Sequence, residues 1–182
     1  MLLNMKDLLC VANKHNFAVP AFNISSYSMF SGVMEASEEK NSPVIIAIHP
    51  DELRHIGVDM IVAIRERAYK SKIPVCIHLD HGSSIEQVIL AIQCGFTSVM
   101  IDGSRLPFEE NVAVCKKVCE LAHAVNVSVE GELGTIGSTD STEVANQVII
   151  YTKPEDAAKF VQQTGVDTLA IAIGTCHGLY PA

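Results

Sequence analysis

Three short stretches of this sequence combine residue types that could do chemistry. His78-Leu79-Asp80-His81-Gly82 closes an apolar run, and Glu130-Gly131-Glu132 places two carboxylates two residues apart. Gly174-Thr175-Cys176-His177-Gly178 follows a third apolar run. Taken singly, each has a bland reading. The first is a polar strand end satisfied by neighbouring backbone, the second a solvated loop, the third an incidental loop histidine. Burying that much polarity at a strand end is costly unless it is coordinated or hydrogen-bonded. Two histidines and a carboxylate at the ends of different strands would suit a zinc ion with an open coordination position.

The elements that must position them repeat along the chain. Apolar, β-branched runs occur at 18–22, 44–48, 75–79, 98–102, 127–130 and 169–173. Most are continuous rather than alternating, which predicts strands buried on both faces of a parallel sheet. Amphipathic segments at 29–40, 84–94, 109–125 and 154–164 predict intervening helices, the last opening on Pro154 with Glu155 and Asp156 in its first turn. The pattern is six βα units.

A doubly wound sheet and a (β/α)8 barrel both fit that alternation, and two features favour the barrel. Asn23-Ile24-Ser25-Ser26 follows the first strand where a glycine-rich fingerprint would stand. Asn23, His49, Asp80, His81, Asp102, Glu130, Glu132 and His177 all fall just past strand C-termini, the rim where such barrels carry their chemistry. At ~31 residues per unit, a 182-residue chain supplies about six units. The expectation is a single α/β domain over residues 1–182, a TIM barrel truncated to about six units. The long polar stretch 134–147 reads as a lid or binding loop, closed by a short apolar anchor at 148–151.

Composition narrows the function classes. A formal net charge of −8 and 19% charged residues argue against a nucleic-acid or anionic-lipid surface and against disorder. The longest apolar run is far short of the ~20 residues a membrane span needs. No secretory h-region follows Met1, and six scattered cysteines suit reduced thiols in the cytoplasm. Cys115, Cys119 and His123 share one helical stripe; a second metal site is conceivable there, and core packing is the favoured reading. His15, His49 and His55 read as surface or rim residues.

His78-Leu79-Asp80-His81, Ser98-Val99-Met100-Ile101-Asp102, Val129-Glu130-Gly131-Glu132-Leu133-Gly134 and Ala172-Ile173-Gly174-Thr175-Cys176-His177-Gly178 together resemble the class II, metal-dependent ketose-bisphosphate aldolases, and most closely their tagatose-bisphosphate branch. Pro20-Ala21-Phe22-Asn23 and Leu106-Pro107-Phe108 with Asn111 fit the same pattern, which runs in order over the whole chain.

The resemblance implies Zn2+ held by His81 and His177, and admits a monovalent cation as well. It makes Asp80 the proton donor, Glu132 a carboxylate that approaches the metal, and Gly178 a backbone contact to dihydroxyacetone phosphate. Asn23 and Asp102 support the substrate and the metal from the rim. The family's loop carboxylate, the base for the carbon acid, falls on Asp140, one methylene shorter than the usual Glu, with Glu143 nearby as a substitute. The implied partner is a sugar phosphate, and the implied assembly a homo-oligomer, dimer or tetramer.

The family's third zinc histidine and its phosphate loops correspond to sequence beyond Ala182. Little or no aldolase activity is therefore expected of these 182 residues alone. They would then be a metal-binding remnant, or one part of a site completed by a complementary chain.

Overall fold

The computed structural model describes residues 1–138 and 149–178. Six parallel strands form one sheet in the order β1 (Ala21–Asn23), β2 (Val44–Ile48), β3 (Val75–Gly82), β4 (Ser98–Ile101), β5 (Ser128–Leu133) and β7 (Thr168–Ile171). A separate parallel pair joins β6 (Gly137–Ser138) to β8 (Cys176–His177). Among the described residues, β1 and β7 have a sheet partner on one side only.

The strands that read as continuous apolar runs are buried on both faces, each against a different core. Val44, Ile46, Ile48, Val75, Ile77, Leu79, Val99, Ile101 and Val129 point to the flanking helices and form the main core. The alternate residues Ile45 and Cys76 point the other way, where α1 (Met5–His15) inserts Met5 and Leu8. Met5 N–H donates to Ser128 Oγ on β5, and Thr168 Oγ on β7 donates to Met5 Sδ. One helix thus touches β2, β3, β5 and β7 on their inner face, which requires the sheet to be curled around it. The six-unit partial barrel expected from the sequence is the fold observed.

Helix boundaries follow local chemistry. Asn4 caps α1 by accepting from Asp7 N–H, Ser26 caps α2 (Tyr27–Glu39) from Met29 N–H, and Ser84 caps α5 (Ile85–Cys94) from Gln87 N–H. Pro154 opens α7 (Pro154–Thr164) at its first turn, as expected. The sequence reading places neither α1 nor α3 (Pro50–Ile56), and it marks only the end of α4 (Val58–Lys70), at Lys72-Ile73-Pro74 before the next strand. Their apolar positions are thinned by charges, and only tertiary burial selects the inner face. β1 begins later than expected and β7 ends earlier, since β1 is exposed throughout and its pairing to β2 covers only three residues. α6 (Phe108–His123) ends two residues short of the expected 125.

The expected apolar anchor is corrected. Ile149, Ile150 and Tyr151 are exposed, and the tie is polar: Thr135 N–H donates to Ile150 O, and Ile150 N–H donates to Thr135 Oγ. Most of the expected lid, including Asp140 and Glu143, lies outside the described residues.

Below the rim, buried His78 bridges the sheet interior. Its Nε2 lies 3.1 Å from Glu130 Oε2 and its Nδ1 2.9 Å from Ser98 Oγ. The carboxylate acceptor places the proton on Nε2, so Nδ1 accepts from Ser98. His78→Ala would leave a cavity in the interior and take this partner from buried Ser98 and partly exposed Glu130. It is expected to lower the unfolding free energy in urea by ~3 kcal/mol; a loss under ~1 kcal/mol would show that water replaces the ring.

Candidate functional site

On a regular strand, adjacent Asp80 and His81 would face opposite sides of the sheet. The register between β3 and β4 shifts between Leu79 and Gly82, and His81 sits in the left-handed region at φ 52°. That bulge returns the His81 ring to the face that Asp80 occupies, with Nε2 3.9 Å from Asp80 Oδ1. Gly82 makes the bulge feasible, because a Cβ there would lie 2.5 Å from the Met100 carbonyl oxygen of β4. Asp102 N–H then donates to Gly82 O, and His81 N–H points to Met100 Sδ.

Around this ring the ends of four other strands converge. His81 Nδ1 is 3.1 Å from Asp102 Oδ2 and 3.7 Å from Glu132 Oε2. The His177 ring, carried by β8, stands edge-on to the His81 ring at 5.4 Å between centroids. In a flat sheet, β3 and β7 would be three strand spacings apart, ~14 Å; curling and the loop into β8 remove that distance. β8 pairs with β6, so the loop holding His177 is fastened to the loop leaving β5. Asn23, at the end of β1, donates from Nδ2 to Asp80 Oδ2 at 2.7 Å. Gly178, with φ 96°, follows His177 at the exposed edge.

The electrostatics are those of a site built for positive charge. The hydrogen bond to Asp102 raises the His81 pKa to about 9 against the opposing effect of burial, with Asp80 and Glu132 adding to the rise. Burial pushes Asp102 up, but its bonds to His81 and Ser104 outweigh this and hold it at about 2. Burial, reinforced by the charge of Asp102, raises Glu132 to about 7. Glu132 Oε2 is the buried side-chain polar atom without a hydrogen-bond partner among the described residues. Such an orphan oxygen is costly unless something else meets it.

His81, Asp102 and Glu132 each offer a ligand atom, and these atoms lie within 4.8 Å of one another. One imidazole and two carboxylates form a borderline-to-hard donor set that fits a divalent cation, and a cation would satisfy the orphan oxygen. An alternative use of the same groups keeps Asp102 as acceptor of the Nδ1 proton, so that His81 would offer Nε2 to a cation and Asp102 would orient the ring instead of ligating.

Other candidates resolve differently. Cys115 and Cys119 are buried in the main core, where burial drives both thiols to about 12, and His123 turns away to Asp167 at 2.8 Å. The stripe is packing. His49, read from sequence as a rim residue, lies 6.4 Å from the His81 ring while its Nδ1 accepts from Asp51 N–H at the start of α3. The rim position read from sequence, just past β2 as Asn23 is at the end of β1, is where it stands, although the sequence reading assigns it no role at the site.

A family model described as fructose-bisphosphate aldolase class-II matches residues 3–182. The chain belongs to this family. It is 45% identical over 184 residues to a probable fructose-bisphosphate aldolase of Bacillus subtilis, covering 98% of this chain and 64% of that relative. A fructose-bisphosphate aldolase of Giardia intestinalis is 45% identical over 181 residues, with 98% of this chain and 55% of the relative covered. Among solved structures, the YdjI aldolase of Escherichia coli K12 superposes with a TM-score of 0.87 at 34% identity, over all of this chain and 64% of that one. The chain thus spans less than two-thirds of the length of each of these relatives. No helix among its described residues is long and apolar enough to cross a membrane.

Proposed function

We propose that this chain carries the metal-binding part of a zinc-dependent aldolase that cleaves and forms a ketose 1,6-bisphosphate, of fructose or tagatose configuration, from dihydroxyacetone phosphate and glyceraldehyde 3-phosphate. The observation that carries the reading is the meeting of His81, Glu132 and His177 from three strand ends, with Glu132 Oε2 3.7 Å from His81 Nδ1 and without a hydrogen-bond partner among the described residues. His81 Nε2, His177 and Glu132 would hold Zn2+, and Asp102 would orient His81 through Nδ1. When bound, the ion supplies positive charge against the negative charge that develops on the ketose oxygens as the C3–C4 bond breaks.

The protein's own groups manage the proton. In cleavage, Asp80 takes the proton from the C4 hydroxyl as the C4–O bond becomes a carbonyl. The electron pair of the broken C3–C4 bond stays on the dihydroxyacetone phosphate half. In condensation the same carboxyl group returns its proton to the aldehyde oxygen. The 2.7 Å bond from Asn23 fixes which Asp80 oxygen faces the substrate. Gly178 N–H would contact the phosphate, and Asp140 would exchange the proton at C3, roles that rest on the family resemblance. Cys10, Cys76, Cys94, Cys115 and Cys119 are free thiols, which supports a reducing compartment such as the cytoplasm. A dimer or tetramer is the assembly this reading implies.

A second reading is favoured by the 64% coverage of the B. subtilis relative and, among the described residues, by β1 and β7 each pairing on one side only: these 182 residues by themselves act as a metal-binding remnant that turns over little. One experiment weighs both. The chain, alone and fused to the C-terminal third of the B. subtilis relative, is supplied with Zn2+ and assayed for cleavage of fructose and tagatose 1,6-bisphosphates. The fusion is expected to cleave at least one, with activity lost on chelation, while the chain alone retains zinc with little turnover. Absence of cleavage in a folded, zinc-loaded fusion overturns the aldolase reading. Robust turnover by the chain alone overturns the remnant.

A further inference from the structure

Asn111, on the first turn of α6, is 1% exposed. Its two amide atoms are both engaged. Nδ2 donates to the backbone carbonyl of Glu132 at 2.8 Å, and Oδ1 accepts from Cys115 Sγ–H at 3.4 Å. The same amide lies directly against Gly103, the residue after Asp102: a Cβ on Gly103 would stand 2.3 Å from Asn111 Oδ1 and 2.8 Å from its Cγ. One buried carboxamide therefore abuts the backbone on which both Glu132 and Asp102 are mounted.

Those two carboxylates sit close to a single imidazole and repel each other. Their strands pair directly only as far as Ile101 with Gly131. Beyond that rung Glu132 pairs with Ala170 of β7 and Asp102 N–H with Gly82 O of β3, so each acidic residue is tied to its outer neighbour and no β4–β5 hydrogen bond ties the two to each other. The Asn111 amide lies where that tie is missing.

We propose that Asn111, seated against Gly103, is a positioning residue that fixes the spacing of Asp102 and Glu132 so that the two can serve one divalent cation together with His81. This rests on the metal-site reading given above. The amide is suited to the task because its donor holds the Glu132 carbonyl while its acceptor edge lies flat against a backbone with no side chain. Leucine keeps the volume but loses the donor. Alanine at 103 keeps the donor but forces the amide off its seat.

The test is a Co2+ titration of the metal-stripped chain, followed by the visible absorption of bound Co2+, with circular dichroism and thermal melting recorded beside it. Wild type, Asn111→Leu and Gly103→Ala are compared. Both variants are expected to bind Co2+ ~10- to 100-fold more weakly and with an altered band shape, while far-ultraviolet dichroism stays that of the wild type. A residue that served only packing would lower the melting temperature and leave affinity and band shape alone, and that result overturns the proposal. Should Asn111→Leu fail to fold, Gly103→Ala decides by the same criterion. A wild-type chain that binds no Co2+ overturns the metal-site reading and the clamp with it. A binding wild type matched by its folded variants overturns the clamp alone.

Discussion

Replacing His81 by alanine is expected to lower zinc affinity by roughly a thousand-fold. Binding free energies at protein zinc sites are ~10–16 kcal/mol, so each of three or four ligands carries ~3–4 kcal/mol, two to three powers of ten. His81 is also the group around which the others gather: Asp102, Glu132, Asp80 and His177 all face it. His177→Ala is expected to lose a comparable factor. Competition titrations with a chelator of known affinity measure both. Unchanged affinity in His81→Ala would remove the proposed site altogether, and unchanged affinity in His177→Ala alone would restrict it to His81, Asp102 and Glu132. The larger loss here than for Asn111→Leu is what separates a ligand from a residue that sets ligand spacing.

The metal-free chain is expected to lose stability steadily between pH 5 and pH 9. Glu132 has a folded pKa of about 7, above the ordinary carboxylate value near 4.5. As pH rises through that interval, the unfolded chain releases this proton while the folded chain keeps it, so folding free energy is lost. His81 continues the trend, since its folded pKa is about 9 against 6.5 unfolded. Its stabilising contribution is complete below 6.5 and disappears as pH passes 9. Each pKa unit corresponds to ~1.4 kcal/mol, so the summed loss is a few kcal/mol. Asp102, held at about 2, has the opposite sign, and its contribution is lost only in strong acid. Urea unfolding of the chelator-treated chain across this range checks the slope. Zn2+ should reverse it, because the cation competes with the same protons. A stability rising from pH 5 to 9 without metal would mean that Glu132 and His81 do not share one buried site.

Much of the architecture was legible along the chain. The runs at Val44–Ile48 and Val75–Gly82 are apolar on both faces because each face meets a separate core, and period alone reveals that. Ser84, Pro154 and the glycines that close α5 and α7 mark helix ends by local backbone chemistry. The helices before β1 and between β2 and β3 were less legible. Their apolar stripes are short, and burial against the curled sheet selects them. The residues of the candidate site were also legible by type, since carboxylates and imidazoles clustered at strand ends are expensive to bury without a purpose.

Local pattern does not encode distance between strand ends. Alternation along β3 sends Asp80 and His81 to opposite faces; the bulge permitted by Gly82 brings them together. Nothing in the spacing of residues 81 and 177 says that their rings stand 5.4 Å apart, because that follows from sheet curl and from the pairing of β6 with β8. The orphan oxygen of Glu132 and the buried Asn111 amide likewise emerge only when α6 closes over β4 and β5. Sequence alone determined the alternation of strands and helices and which polar groups sit at strand ends, because those are set by interactions among near neighbours. Tertiary structure decided which of those groups face one another and which remain unpaired, because both depend on how far apart packing holds chain segments that are distant in sequence.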